Sequence, residues 1–70
     1  MSLEMTVCVN GAKRKVPEGT TLEKLIELYQ LKKKSVVVEH NHQVTDRNHY
    51  SSIHLKENDV VEIVHFVGGG

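Results

Sequence analysis

The chain closes on the stretch Val61-Glu62-Ile63-Val64-His65-Phe66-Val67-Gly68-Gly69-Gly70. Its apolar, β-prone part, residues 61–67, predicts a strand anchored in a sheet. The three glycines lack a Cβ and adopt both signs of φ, so we expect residues 68–70 to form a flexible tail with a free carboxylate. Three extended residues reach roughly 10 Å and can enter a slot that excludes side chains. Terminal glycines are also compatible with simple fraying or an expression remnant, and this stretch alone does not decide.

Length and composition predict one small domain and exclude several classes of function. Nine basic and nine acidic residues cancel among the 70, which argues against nucleic acid as the partner. There is no apolar run of membrane-spanning length, which argues against a membrane protein. A single cysteine excludes an internal disulfide framework and fits a reducing, cytoplasmic location.

Two short segments are assigned to the periphery of this domain. Residues 1–4 precede a second methionine, Met5, and we interpret them as a leader outside a domain that spans residues 5–67. The basic cluster Lys32-Lys33-Lys34 follows a predicted helix end, where cations suit the helix dipole. We therefore expect these lysines to cap that helix and to be solvated.

The first half of the chain predicts a hairpin and a helix. Alternation over residues 5–10 indicates a strand, and Asn10-Gly11 favours a type I′ turn into a second strand over residues 12–16. Thr20-x-x-Glu23 has the spacing of a capping box at the start of a helix. That helix carries one apolar stripe for burial against the sheet, with Leu28 at its rim. The stripe consists of Leu22, Leu25, Ile26 and Tyr29.

The second half of the chain predicts three more strands. Residues 35–40 and 43–45 form a hairpin around Asn41-His42, and the final strand follows a turn at residues 57–59. A helix between the first hairpin and the later strands supplies the crossover that parallel pairing requires. The order β-β-α-β-β-β therefore predicts an α+β fold. We expect the ubiquitin-like β-grasp arrangement, a mixed five-stranded sheet with one helix packed on one face and the final strand in its middle.

Strand alternation predicts a docking patch beside the glycine tail. If Val61 and Ile63 face the helix, then Glu62, Val64 and Phe66 face the open side of the sheet. The open face of a sheet in an isolated domain is expected to be polar. Exposed Val64 and Phe66 therefore indicate a surface for partner docking.

On these residues the chain resembles the ThiS-type sulfur carriers of thiamine biosynthesis. Residues 58–70 carry the most specific part of the resemblance. Residues 38–44, followed by Arg47 and Tyr50, and the early Val9-Asn10-Gly11 support it. The chain departs from the family pattern at three positions in a strand end and a loop. Family members tend to have an apolar residue at His40, a glycine at His42 and a proline at Asp46.

The resemblance implies a protein substrate rather than an enzyme, with no catalytic residue and no bound cofactor. An E1-like adenylyltransferase would use ATP to adenylate the carboxylate of Gly70, with Gly68 and Gly69 entering the active site of the partner. A persulfide on a sulfur donor protein would then displace AMP and leave a C-terminal thiocarboxylate. Thiazole synthase would receive that sulfur. Such a carrier is expected to be monomeric when free, because it exchanges partners.

Two other functions remain compatible with the sequence. The first is the small subunit of molybdopterin synthase, which shares the fold and a Gly-Gly end, although the sequence of its final strand differs. A role in protein tagging, in which Gly70 is joined to lysines, is a less favoured form of the same carrier chemistry. The other alternative is a non-catalytic β-grasp interaction module with an inert tail.

The remaining reactive side chains predict no further site. His40-x-His42 crosses a predicted turn, and the other three histidines lie on separate elements without cysteine or acidic partners at zinc spacing, so no metal site is expected. Cys8 lies within a strand away from any activating charge, which predicts an inert thiol. Arg47 fits either a partner contact or a salt bridge within its loop.

Overall fold

The computed structural model describes residues 3–66 of the chain. In this part of the chain the elements are β1 (Glu4–Val9), β2 (Ala12–Pro17), α1 (Leu22–Leu28), β3 (Val36–His40), β4 (Gln43–Thr45) and β5 (Val60–His65). Two short 3₁₀ segments, Lys33–Ser35 and Arg47–Ser52, lie between them.

The strands form one mixed sheet in the order β2-β1-β5-β3-β4. β5 lies in the middle, parallel to β1 and antiparallel to β3, while both hairpins are antiparallel. The predicted α+β β-grasp fold is confirmed, including the central position of the final strand. At the first hairpin, Asn10 and Gly11 have φ values of 52° and 84°, as a type I′ turn requires.

The core lies between the sheet and α1. Leu22, Leu25 and Ile26 from the predicted stripe are at most 1% exposed, while Leu28 is 53% exposed at the rim, as expected. Inward-facing strand residues and two side chains from the connection before β5 complete the core. These are Met5, Val7, Val9, Val16, Val36, Val38, Tyr50, Leu55, Val61 and Ile63.

The start of α1 differs from the predicted capping box. Thr21 is the N-cap, and its hydroxyl accepts a hydrogen bond from the Lys24 N–H at 3.1 Å. Thr20 is buried instead, and its hydroxyl donates to the Pro17 carbonyl at 2.6 Å. The prediction of a Thr20/Glu23 box is wrong because α1 begins at Leu22, one residue later than such a box requires, and the Thr20 hydroxyl points to the end of the first hairpin. A single-residue cap at Thr21 replaces it.

The predicted helix capping by the lysine cluster is also wrong. α1 ends at Leu28 without a basic residue in its last turn, and Lys33 and Lys34 fall in the following 3₁₀ segment. The chain reverses at Gln30, which has a φ of 59°. Lys33 Nζ therefore lies 3.0 Å from Glu23 Oε2, in the first turn of the helix rather than the last. The expected solvent exposure of these lysines is confirmed.

β1 begins earlier than the predicted domain boundary. Glu4, assigned to the leader, pairs with Pro17 in the sheet, and the Leu3 carbonyl accepts from the Glu18 N–H at 3.0 Å. Residues 3 and 4 thus belong to the first hairpin. Among residues 3–66, none of the helices has the length and apolar character needed to cross a membrane.

Candidate functional site

The strand that leads toward the glycines is held on both sides. β3 pairs with it from Val36↔His65 to His40↔Val61, and the Phe66 N–H donates to the Ser35 carbonyl at 3.1 Å. β1 pairs with it only at its beginning, through Cys8↔Val60 and Val9↔Val61. β5 therefore extends past the end of β1 before it reaches the predicted tail.

The side chain of Asn10 continues the pairing where β1 ends. Asn10 Oδ1 accepts from the Ile63 N–H at 2.7 Å, and Asn10 Nδ2 donates to the Ile63 carbonyl at 3.2 Å. The Asn10 N–H also donates to the Val61 carbonyl at 2.9 Å. One turn residue thus satisfies both backbone groups of Ile63. The sequence interpretation assigned Asn10 to the turn only, because its partner lies 53 residues away in the chain.

The opposite end of β5 is held by a polar network around Asp59. Asp59 Oδ2 lies 2.8 Å from His40 Nε2 and accepts from the Lys56 N–H at 2.9 Å, while Oδ1 accepts from Asn41 Nδ2 at 3.2 Å. Asn41 Oδ1 also accepts from the Val60 N–H. Burial raises the pKa of Asp59, but the hydrogen bonds from His40, the Lys56 N–H and Asn41 together hold that pKa below its usual value.

This network gives His40 a structural contact that the sequence interpretation missed. His42 is exposed in the predicted turn, with a φ of 73°. Within residues 3–66, no group of three or more histidine, cysteine or acidic side chains is arranged to hold a metal ion.

The open face of the sheet carries the predicted exposed pair. Val64 is 61% exposed and Phe66 is 44% exposed, whereas Val61 and Ile63 are buried against α1. The predicted face assignment is therefore confirmed, while the docking role of the pair stays a prediction.

Two further valines extend this apolar surface. Val37 lies directly opposite Val64 in the β3–β5 pairing and is 42% exposed. Val44 is 71% exposed and lies opposite Glu39 in the β3–β4 pairing. We call Val37, Val44, Val64 and Phe66 the open-face patch. Strand alternation around Val36 and Val38 was the signal that could have identified Val37.

Five further residues were considered as functional candidates from the sequence. Gly68, Gly69 and Gly70 fall outside the described residues, so their role in sulfur transfer stays a prediction. Cys8 is half-buried beside Val60, four residues before Val64. Arg47 is exposed and forms no ion pair with another residue of the described range. Of its two interpretations, the loop salt bridge is not observed there, and the partner contact stays a prediction.

Comparisons with known proteins agree on one family. Residues 5–70 match the ThiS family. The chain is 43% identical to the sulfur carrier protein ThiS of Bacillus subtilis (strain 168), a match that covers 89% of this chain and 96% of that protein. The crystal structure of the thiamine biosynthesis protein ThiS from Geobacter metallireducens superposes with a TM-score of 0.80 at 30% identity. That superposition covers 94% of this chain and 100% of the Geobacter chain.

A second type of relative is a longer protein. The chain is 39% identical to part of the thiazole synthase of Magnetococcus marinus, a match that covers 94% of this chain but only 20% of that protein. The thiazole synthase of Paramagnetospirillum magneticum gives a similar match at 30% identity, again over 20% of its length. A segment similar to this chain thus occurs within larger proteins of that name.

Proposed function

The chain belongs to the ThiS family, and from this premise we propose that it is a sulfur carrier of thiamine biosynthesis that holds the sulfur on its C-terminal residue, Gly70. In this proposal the protein is not an enzyme. It is a macromolecular substrate that other proteins charge with sulfur and discharge.

The proposed chemistry explains why the reacting residue is a glycine. A carboxylate is a poor electrophile, and adenylation by an E1-like enzyme with ATP splits one difficult substitution into two easier ones. The persulfide of a donor protein attacks the acyl adenylate and AMP leaves; reductive cleavage of the resulting acyl disulfide by a thiol releases the thiocarboxylate. A residue without Cβ lets the catalytic groups of the partner approach the carbonyl closely.

The observation that carries this proposal is the way β5 is held. Its backbone is fixed as far as Phe66 by β3 and by the Asn10 side chain, while Val64 and Phe66 remain exposed beside its end. A fixed strand gives a partner a defined surface from which to locate the terminal residue. The matches to thiazole synthases support that protein as the recipient of the sulfur.

ATP–pyrophosphate exchange by the cognate activating enzyme tests the role of Gly70. The wild-type chain is expected to support exchange, whereas deletion of Gly70 or addition of one alanine after it is expected to abolish exchange. Both variants should keep the far-UV circular dichroism of the wild type, since a terminal glycine has no side chain to bury. Wild-type exchange rates in both variants would contradict the proposal and favour a non-catalytic interaction module.

The thiamine pathway is favoured over molybdopterin synthesis by the names of the relatives. A transfer experiment separates the two destinations. The thiocarboxylated chain should lose its sulfur to thiazole synthase with its substrates present, and not to the large subunit of molybdopterin synthase. The opposite preference would assign the chain to the molybdopterin pathway.

A further inference from the structure

Two glutamates face each other within the open-face patch. Glu39 of β3 and Glu62 of β5 are direct cross-strand partners. The same register places Val44 beside Glu39 on its other side, and Val37 opposite Val64 in the next row. An acidic pair therefore lies among four exposed apolar side chains.

Neither glutamate forms an ion pair with another residue of the described part of the chain. Directly opposed side chains in an antiparallel pair have Cβ atoms about 4.5–5.5 Å apart, and like charges at that distance destabilise the pairing. The ion pairs of residues 3–66 are Lys24–Glu27, Lys33–Glu23 and His40–Asp59, and none involves Glu39 or Glu62. The two carboxylates are thus left to solvent or to a partner.

The surroundings of the pair specify what such a partner must present. A protein that covers the open-face patch removes water from both carboxylates. This desolvation costs free energy unless a cation of the partner takes the place of the water. An arginine or lysine placed between them would make charge-assisted hydrogen bonds to both. The apolar side chains around the pair would pack against apolar groups that surround this cation, as in the centre of an interface.

We propose that the open-face patch docks thiazole synthase through a lysine or arginine side chain of that enzyme, which inserts between Glu39 and Glu62. The inference rests on the proposed function, which makes thiazole synthase the recipient of the sulfur. Charge complementarity then identifies the contact within the patch. The patch adjoins the end of β5, so the docked enzyme lies next to the segment that carries Gly70.

Binding of purified thiazole synthase from the same organism, measured by isothermal titration calorimetry, tests this contact. Glu62→Lys is expected to weaken binding about tenfold or more, because it opposes two cations in a desolvated contact. Glu27→Lys makes the same change of charge on α1, away from the open face, and is expected to stay within about twofold of the wild type. The double variant Glu39→Gln/Glu62→Gln keeps the shape of both side chains and should also bind more weakly.

The salt dependence of binding identifies the contact as ionic. Raising the ionic strength from about 0.1 M to about 1 M shortens the Debye length from about 10 Å to about 3 Å. Wild-type binding should weaken over this range, and the double glutamine variant should lose most of that dependence. Loss of a like-charge contact should leave the double variant at least as stable as the wild type in urea, which separates weaker binding from misfolding.

Each other outcome overturns a specific part of the account. Wild-type affinity in Glu62→Lys, or equal weakening by Glu27→Lys, would overturn the proposed contact. A defect of Glu62→Lys confined to ATP–pyrophosphate exchange would show that the activating enzyme, not thiazole synthase, occupies this face. A wild-type chain that never acquires sulfur would overturn the proposed function itself.

Discussion

Replacement of Asn10 tests whether its side chain holds β5. Asn10→Gly removes the two hydrogen bonds to Ile63 but keeps a residue that adopts the φ of 52° without strain. A hydrogen bond contributes about 0.5–1.5 kcal/mol net. The two lost bonds therefore predict a decrease of about 1–3 kcal/mol in the free energy of unfolding. Asn10→Ala should lose about 1 kcal/mol more, since alanine at positive φ is strained.

Urea denaturation followed by circular dichroism measures this loss, with His42→Gly as the matched control. His42 also has a positive φ, of 73°, but its side chain makes no hydrogen bond within the described residues. Glycine there relieves backbone strain and should leave stability unchanged or raise it. The predicted order of stability is wild type, then Asn10→Gly, then Asn10→Ala.

The alternative is that Asn10 serves only the turn. In that case Asn10→Gly would behave like His42→Gly, because glycine is also favoured in a type I′ turn. An Asn10→Gly variant within about 0.5 kcal/mol of the wild type would therefore refute the role of the side chain. Hydrogen exchange gives an independent check, since the Ile63 amide should exchange faster in Asn10→Gly than in the wild type.

Three further predictions concern β5 and its surroundings. The folded-state pKa of Asp59 is depressed, so its stabilising contribution is present above its unfolded pKa near 4 and is lost as the pH falls through the lower folded value. In urea denaturation between pH 7 and pH 2, Asp59→Asn should therefore reduce the loss of unfolding free energy at acid pH. A variant with the same pH profile as the wild type would contradict this role of Asp59. The Ile63 side chain is only 7% exposed, so Ile63→Ala should lower the free energy of unfolding by about 2–5 kcal/mol in the same assay. A value close to that of the wild type would exclude Ile63 from the core. Phe66→Ala should leave the thermal melting curve almost unchanged but weaken binding to thiazole synthase, because Phe66 is 44% exposed in the open-face patch. A large drop in melting temperature would assign Phe66 to the core instead.

Local sequence patterns were sufficient for the elements whose neighbours lie close in the chain. The Asn10-Gly11 turn needs positive φ at both positions, which few other residue pairs supply. Strand alternation correctly assigned Val61 and Ile63 to the core and Val64 to the open face. The order of the elements then gave the topology, because a helical crossover is what parallel pairing between the first and last strands requires.

Features set by tertiary contacts could not be predicted in the same way. Thr20 and Thr21 are adjacent, and either residue type suits an N-cap. The Thr20 hydroxyl donates to the Pro17 carbonyl, and Thr21 caps the helix instead. The sequence patterns predicted no regular element between β4 and β5, yet this segment contains the 3₁₀ helix Arg47–Ser52, whose N-cap Asp46 accepts from the Asn48 N–H.

The contacts that hold β5 have no local signature at all. Asn10 meets Ile63 across 53 residues, and His40 meets Asp59 across 19. Each side chain has an ordinary local interpretation, as a turn residue or a strand end. Only the sheet order brings the members of each pair together.

The mass of the intact chain after sulfur loading tests the central claim most directly. The chain is incubated with ATP, its activating enzyme, a persulfide donor and a thiol reductant, and is then analysed by mass spectrometry with fragmentation of the C-terminus. We expect a gain equal to the replacement of one oxygen by sulfur, located on Gly70. An unchanged mass in the presence of an activating enzyme shown to be active, or a gain located on another residue such as Cys8, would contradict it.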